Sequence, residues 1–505
     1  MAALCGDLAA SRGPLSIYEL SDSQKAHFTA TVEYMTGSRV VYIAHNEYTA
    51  QRLYEDFGAL YGRDALFFPA REIMLYDVEA KEYEIVFRRV GALDRLLSGD
   101  FAVAVMSVEA AVQFVPPPSL FRRMTHVFET GMRLDFQNIS AGLIDMGYER
   151  VSAVEARGTF AVRGGILDVY PVDQEYAVRV ELFDDEIDSI RFFDARTQRT
   201  VSAAGAVKIL PARDILYEKE RLPEIIGRME AAATQRSART VEEDAERFRT
   251  SGHFAGIDRY IAFIYEDGDT PLSYADGCAY VIDEPVRAFQ KLESLDAEHA
   301  EICLSLIERG KLLPESARFQ LDFHDFIRRL PSGRRIALNS IRSAREAELL
   351  GPSGQRVISG KSAISYQGNV ELLKTDIRDR LKDGWTVLLL TKSRIKAERL
   401  AETLRAEKIP VRSVGQMPMG GAPGGGAQSG GAAGGDAAGG GTVSADAAGR
   451  GVTGGKPAGV GMAGRNVTGG GTVGGVARVS PGRKRVVVCF SPRRAGHRAH
   501  ARLCA

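Results

Sequence analysis

The chain of 505 residues carries 65 Lys+Arg against 65 Asp+Glu, a net charge of zero that excludes any global pull toward nucleic acid or a membrane surface. With 45% hydrophobic and 26% charged residues it has the make-up of a globular protein of about three domains. No apolar run approaches the roughly 18 residues of a membrane span, so no membrane partner is expected.

Near the start, SIYELSDSQKAHFTA (16–30) holds one lysine and no glycine. RVVYIAH (39–45) is a short apolar run, the signature of a buried strand. Asn46 is placed to cap the next helix, which aligns Ala50, Leu53, Tyr54, Phe57 and Leu60 on one face. ALFFP (65–69) predicts a second strand, 81–98 a helix and FAVAVMS (101–107) a third strand. This rhythm implies an α/β fold with a parallel sheet covered by helices, and VPPPSLF (115–121) stops it. From 122 to 207 one helix (134–147) is followed by strand patterns separated by tight glycine or acidic turns. They describe an inserted β-rich α+β domain. Helical periodicity returns at 220–250 and 285–310 around the strand-like CAYVID (278–283). VLLL (387–390) and SRIKAERLAETLRAEK (393–408) form a second, small α/β domain.

Residues 416–482 hold about half of the chain's 53 glycines and predict a disordered segment that cannot bury enough surface to offset ordering. The basic end, 483–505, predicts one strand (486–490) and then an arginine- and histidine-rich tail. Such a tail is either a solvated run or a phosphate contact, and no aromatic platform accompanies it.

A working phosphate loop reads GxxxxGK[ST]: glycine N–H groups cradle phosphate, Lys reaches its oxygens and the hydroxyl holds Mg²⁺. With Lys25 at the motif lysine, Glu19 and Gln24 stand at the glycines and Ala26 at the hydroxyl. Glu19 adds negative charge, Gln24 puts a Cβ where a positive φ is expected, and Ala26 offers the metal no oxygen. The plainer reading is a helix capped by Ser21 or Asp22. A second match, GQRVISGKS (354–362), has the wrong glycine spacing before Gly360-Lys361-Ser362. Asp283-Glu284 ends a strand, as the acidic pair of many NTPases does, but without a phosphate loop it has no substrate to act on. The cysteines Cys5, Cys278, Cys303, Cys489 and Cys504 lack metal-ligand spacing. No cofactor, metal or catalytic set is therefore expected, and a reducing, cytoplasmic location fits best.

The stretches VEARGTFAVRGGILDVYPV and YAVRVELFDDEIDSIRFFDARTQRT carry a resemblance, joined by SDSQKA, FFPAREIMLYD, VIDEP and SYQGN. The chain resembles the N-terminal portion of the bacterial transcription-repair coupling factors, whose first module is in turn similar to the excision-nuclease subunit UvrB. The resemblance covers about 14–415. It implies a domain 1a with a degenerate nucleotide site (1–121), an inserted UvrA-docking domain 2 (122–207), a domain 1b (208–345) and a domain 3 (346–415). It fades before the polymerase-interacting and translocase domains, and the basic end matches nothing in the family. The expected function is thus a protein-binding module that recruits UvrA without its own ATPase. The alternatives are a DNA helicase/translocase and a non-functional product of truncation or frameshift. DNA is a weak expected partner, with only the aromatic FRTSGHFAGIDRY (248–260) to grip it. RNA polymerase is expected only for the intact family member.

Strand alternation locates the docking face. In YAVRVELF, Val178, Val180 and Leu182 share one side and Arg179, Glu181 and Phe183 the other. Arg163 is out of phase with Phe160 and Val162 and joins the outer surface. The resemblance places the UvrA-contacting residues at Arg163, Arg179 and Phe183, and an aromatic beside arginines is the make-up of an interface hot spot. The competing reading pairs both arginines with Glu181, Asp184 or Asp185 and puts Phe183 in the core.

Overall fold

The computed structural model describes residues 13–413 except 74, 76–82, 267, 331–333, 359–365, 367–368 and 392–393. Gly6 and the strands at 473–477 and 486–490 are also described. The chain divides into two compact units, Met1–Ser359 and Gly360–Ala505.

The first unit opens with strands β1 (Leu15–Tyr18), β2 (Val40–Ala44), β3 (Ala65–Phe68) and β4 (Val103–Ser107), alternating with helices Asp22–Thr36, Glu47–Tyr61 and Tyr83–Ser98. Every residue of these strands is buried, as expected where helices cover both faces of a parallel sheet. Asn46 caps the second helix, its side chain accepting from Thr49 N, and Ala50, Leu53, Phe57 and Leu60 face inward.

The chain then leaves this sheet. β5 (His126–Glu129) is followed by β6 (Glu149–Arg150), β7 (Thr159–Arg163) and β8 (Ile166–Val169). β9 (Ala177–Phe183), β10 (Glu186–Phe193), β11 (Thr200–Ala204) and β12 (Ala206–Ile209) complete the excursion. Six of these strands form one sheet in the order β11-β10-β9-β8-β7-β6, while β12 pairs with β5. The chain returns through β13 (Ala279–Asp283), β14 (Arg335–Asn339) and β15 (Gly354–Val357). These complete a seven-stranded parallel sheet, β15-β1-β14-β13-β2-β4-β3. Residues 346–357 were expected in the following domain; instead β15 is the edge strand beside β1. The strands β1 (LSIY), β14 (RIALN) and β15 (GQRV) escape the run-length signal because each mixes polar residues with apolar ones.

A buried charge cluster fastens the excursion to the sheet. Arg71 Nε and Arg89 Nε meet Asp214 Oδ2 at 2.9 and 3.0 Å, and Arg71 Nη1 meets Asp258 Oδ2 at 2.8 Å. Arg89 Nη1 also donates to Pro69 O and Gln113 Oε1 at 2.7 and 2.9 Å. Two cations facing two carboxylates leave no net charge to desolvate. Burial alone would raise the Asp214 carboxyl, but Arg71 and Arg89 hold it below its ordinary value.

The second unit is a four-stranded sheet with helices Val370–Lys382 and Arg394–Ala406. Its strands are β16 (Thr386–Thr391), β17 (Val411–Ser413), β18 (Val473–Ala477) and β19 (Val486–Phe490), in the order β17-β19-β16-β18. Leu373, Ile377, Val387, Leu389, Ala401 and Leu404 make its core. β18 corrects the expectation of disorder throughout 416–482. Ladder bonds use the backbone alone, so Gly474 and Gly475 can pair with Leu389 and Leu388. The strand expected at 486–490 is an interior one, parallel to both β16 and β17. The rest of 416–505 and the triplet Gly360-Lys361-Ser362 lie outside the described residues.

Candidate functional site

One face of the six-stranded sheet enters the main core through Phe160, Leu167, Val178, Val180 and Ile190. The opposite face is divided along its length. At one end Ala161, Ala177 and Phe193 form a small second core with Val154. At the other end the sheet lies open: Arg163 is exposed, Ile166 is half-exposed and Phe183 is 80% exposed. Phe183 sits at the tip of the β9–β10 hairpin opposite Glu186, beside a turn in which Asp184 takes φ 59°. A phenylalanine there has no intramolecular burial to gain. The alternation that sets Arg179, Glu181 and Phe183 apart from Val178 and Val180 is therefore realised in the pleat.

The arginines are engaged, though not as sequence proximity suggests. Arg179 forms a bidentate pair with Asp168, Nε to Oδ1 at 2.7 Å and Nη2 to Oδ2 at 2.9 Å. Asp168 lies directly opposite on β8, so cross-strand register selects it. Glu181 is taken by Arg191 at 3.0 Å and by Ser189 Oγ at 2.9 Å, and Asp185 by Arg133 at 3.5 Å. Arg163 donates to the carbonyl of Ser152 and has no carboxylate partner among the described residues.

The phosphate-loop position is occupied by the protein itself. β1 runs through Glu19, Leu20 and Ser21 directly into the helix Asp22–Thr36. Ser21 is the N-cap, and its N–H donates to Gln24 Oε1 at 2.9 Å, so Gln24 is an ordinary first-turn residue and not the one at positive φ. Glu19 takes that conformation, with φ 67°, while its N–H donates to Asn339 O at 3.0 Å. Ala26 is packed in the core. Lys25 is 2% exposed, and its Nζ lies 2.6 Å from Asp283 Oδ1 and 2.8 Å from Glu284 Oε1. The lysine and the acidic pair, separated along the chain, are thus brought into direct ion-pair contact. Burial alone would lower the Lys25 ammonium, but Asp283 and Glu284 raise it above its ordinary value. Glu284 Oε1 also accepts from Ser340 N at 2.9 Å. His45 Nδ1 is 3.3 Å from Asp283 Oδ2.

The aromatic residues of FRTSGHFAGIDRY do not present a DNA-gripping surface. Phe248 and Tyr260 are buried, and Phe248 packs edge-on with both Phe254 and Tyr260. Among the described residues no helix is long and apolar enough to cross a membrane, and no cluster of His, Cys, Asp and Glu is arranged to hold a metal ion.

The sequence pattern of the UvrB interaction domain matches residues 127–215, the segment that contains the six-stranded sheet. A transcription-repair-coupling factor of Bacillus subtilis (strain 168) is 28% identical over 399 residues, covering 76% of this chain and 34% of that relative. One of Staphylococcus aureus (strain USA300) is 25% identical over 413 residues, covering 77% and 34%. The chain thus spans about a third of the length of the curated relatives it matches. Residues 127–215 match the UvrB interaction domain and lie within a longer stretch that is similar to transcription-repair-coupling factors.

Proposed function

We propose that this chain acts in transcription-coupled nucleotide-excision repair by recruiting UvrA. The docking surface is the open end of the outer sheet face, with Arg163, Arg179 and Phe183 as its contact residues. The observation that carries this reading is Phe183, 80% exposed at a hairpin tip between ordered arginine pairs. A rigid aromatic beside arginine is the composition from which interface hot spots are built. The match to the UvrB interaction domain over 127–215 supports the same assignment. The module works without nucleotide turnover of its own, because the Lys25 ammonium is held by Asp283 and Glu284 where a phosphate would need it.

The test is titration of purified UvrA against the chain and against Phe183→Ala and Arg179→Ala. Each substitution should weaken binding by about 2 kcal/mol or more. Equal affinity for all three proteins discards the reading. Saturable Mg-ATP hydrolysis that disappears in Lys25→Ala would instead favour a nucleotide-driven enzyme.

A further inference from the structure

Arg179 is held on three sides. Asp168, only 4% exposed, takes Nε and Nη2 side-on. The guanidinium carbon lies 4.7 Å from the centre of the Phe193 ring, itself buried in the small second core. Gln198 Oε1 accepts from Nη2 at 3.3 Å. Gln198 is in turn anchored, its Nε2 donating to Ala195 O at 2.7 Å and Val154 O at 3.4 Å. Its backbone stands at φ 58°, a conformation disfavoured for a residue with a Cβ, and is closed by Gln198 N donating to Asp194 O at 2.7 Å. One guanidinium nitrogen is left over. Among the described residues Nη1 has no acceptor, and it is not among the buried polar atoms that lack a partner, so it is open to solvent.

We propose that Asp168, Phe193 and Gln198 are positioning residues of the docking face. They fix the Arg179 guanidinium so that the two N–H groups of Nη1 meet an oxygen acceptor of the protein partner. The proposal rests on the reading of this face as a UvrA-docking surface. An arginine free to rotate would lose its rotamer freedom on binding, whereas one already locked does not. Asp168 also cancels the charge of Arg179 while leaving the N–H donors polarised. Recognition at this point is therefore directional, not a matter of net charge. Asp168 and Gln198 lie in the same two stretches, VEARGTFAVRGGILDVYPV and YAVRVELFDDEIDSIRFFDARTQRT, that hold the three contact residues.

A double-substitution cycle tests this. UvrA affinity is measured for the wild type, Phe183→Ala, Arg179→Ala, Asp168→Asn, Gln198→Ala, Asp168→Asn/Arg179→Ala and Gln198→Ala/Arg179→Ala, with a melting curve for each. Asp168→Asn should weaken binding at least tenfold and Gln198→Ala several-fold, and neither should weaken it further once Arg179 is gone. If Phe183→Ala and Arg179→Ala bind like the wild type, the docking reading itself fails. If those two lose affinity while Asp168→Asn and Gln198→Ala keep it, the positioning role is overturned. It is also overturned if Asp168→Asn costs its full factor in the absence of Arg179, because a merely structural aspartate would behave that way. Should Asp168→Asn melt below the assay temperature, the Gln198 cycle decides by the same two criteria.

Discussion

Lys25 Nζ lies 2.6 Å from Asp283 Oδ1, with side-chain exposures of 2% and 1%. A lysine in the first turn of the helix that follows β1 is thereby satisfied by a carboxylate from β13, two places from β1 in the same sheet.

Removing only the lysine leaves Asp283 and Glu284 buried without their cation. Lys25→Met should destabilise the first unit by about 3–5 kcal/mol, the cost of breaking one side of a buried pair. Urea unfolding followed by circular dichroism measures it. A loss under about 1 kcal/mol would mean the pair is solvated in solution.

The same pair sets an alkaline limit. The folded Lys25 value is raised, so its stabilisation is fully present below the unfolded value of about 10.4. It is lost as pH rises through the higher folded value. Stability of the wild type should fall above about pH 10.4 more steeply than that of Lys25→Met, as read from melting temperatures across that range.

Asp214 works in the opposite direction. Its folded value is depressed by Arg71 and Arg89 despite burial, so its contribution is present above about pH 3.9 and is lost as pH falls through the folded value. Asp214→Asn should be less stable at neutral pH by about 3 kcal/mol and show a shallower acid limb below about pH 4. Parallel acid limbs for the two proteins would assign acid sensitivity to other carboxylates.

Glu19 stands at φ 67°, where a side chain is strained. Glu19→Gly relieves that strain, so the folded state should tolerate it and gain up to about 1 kcal/mol in chemical denaturation. The glycine does not create a nucleotide site, because Lys25 stays engaged. Equilibrium dialysis against Mg-ATP should show no binding.

Phe183 separates docking from folding. Phe183→Ser should leave stability within about 0.5 kcal/mol of the wild type, because the side chain buries almost nothing. A drop in melting temperature of several degrees would show that the hairpin tip packs in solution.

The interior position of β19 makes a prediction about the second unit. A chain ending at 415 lacks β18 and β19, both of which flank β16. Amide hydrogens of Val387–Leu390 should be protected in the full chain and exchange quickly in the shortened one. Equal protection would show that β16 does not need them.

Much of the architecture is legible from residue order alone, because the relevant signals are local. The apolar runs at β2, β3 and β4 announce buried strands, and the spacing of Ala50, Leu53, Phe57 and Leu60 announces a covering helix. The out-of-phase Phe183 is equally visible, since alternation with a period of two depends only on neighbours in the chain. The charge partners are not legible in this way. Nearness in sequence offers Arg179 the acids Glu181, Asp184 and Asp185, but the pleat and the β8–β9 register deliver Asp168. Lys25 meets a glutamate 259 residues away, a pairing that exists only once β13 and β14 have been laid beside β1. Side-chain periodicity is a property of the strand and is written into the chain; which charges touch is a property of how strands are ordered, and only the folded sheet decides it.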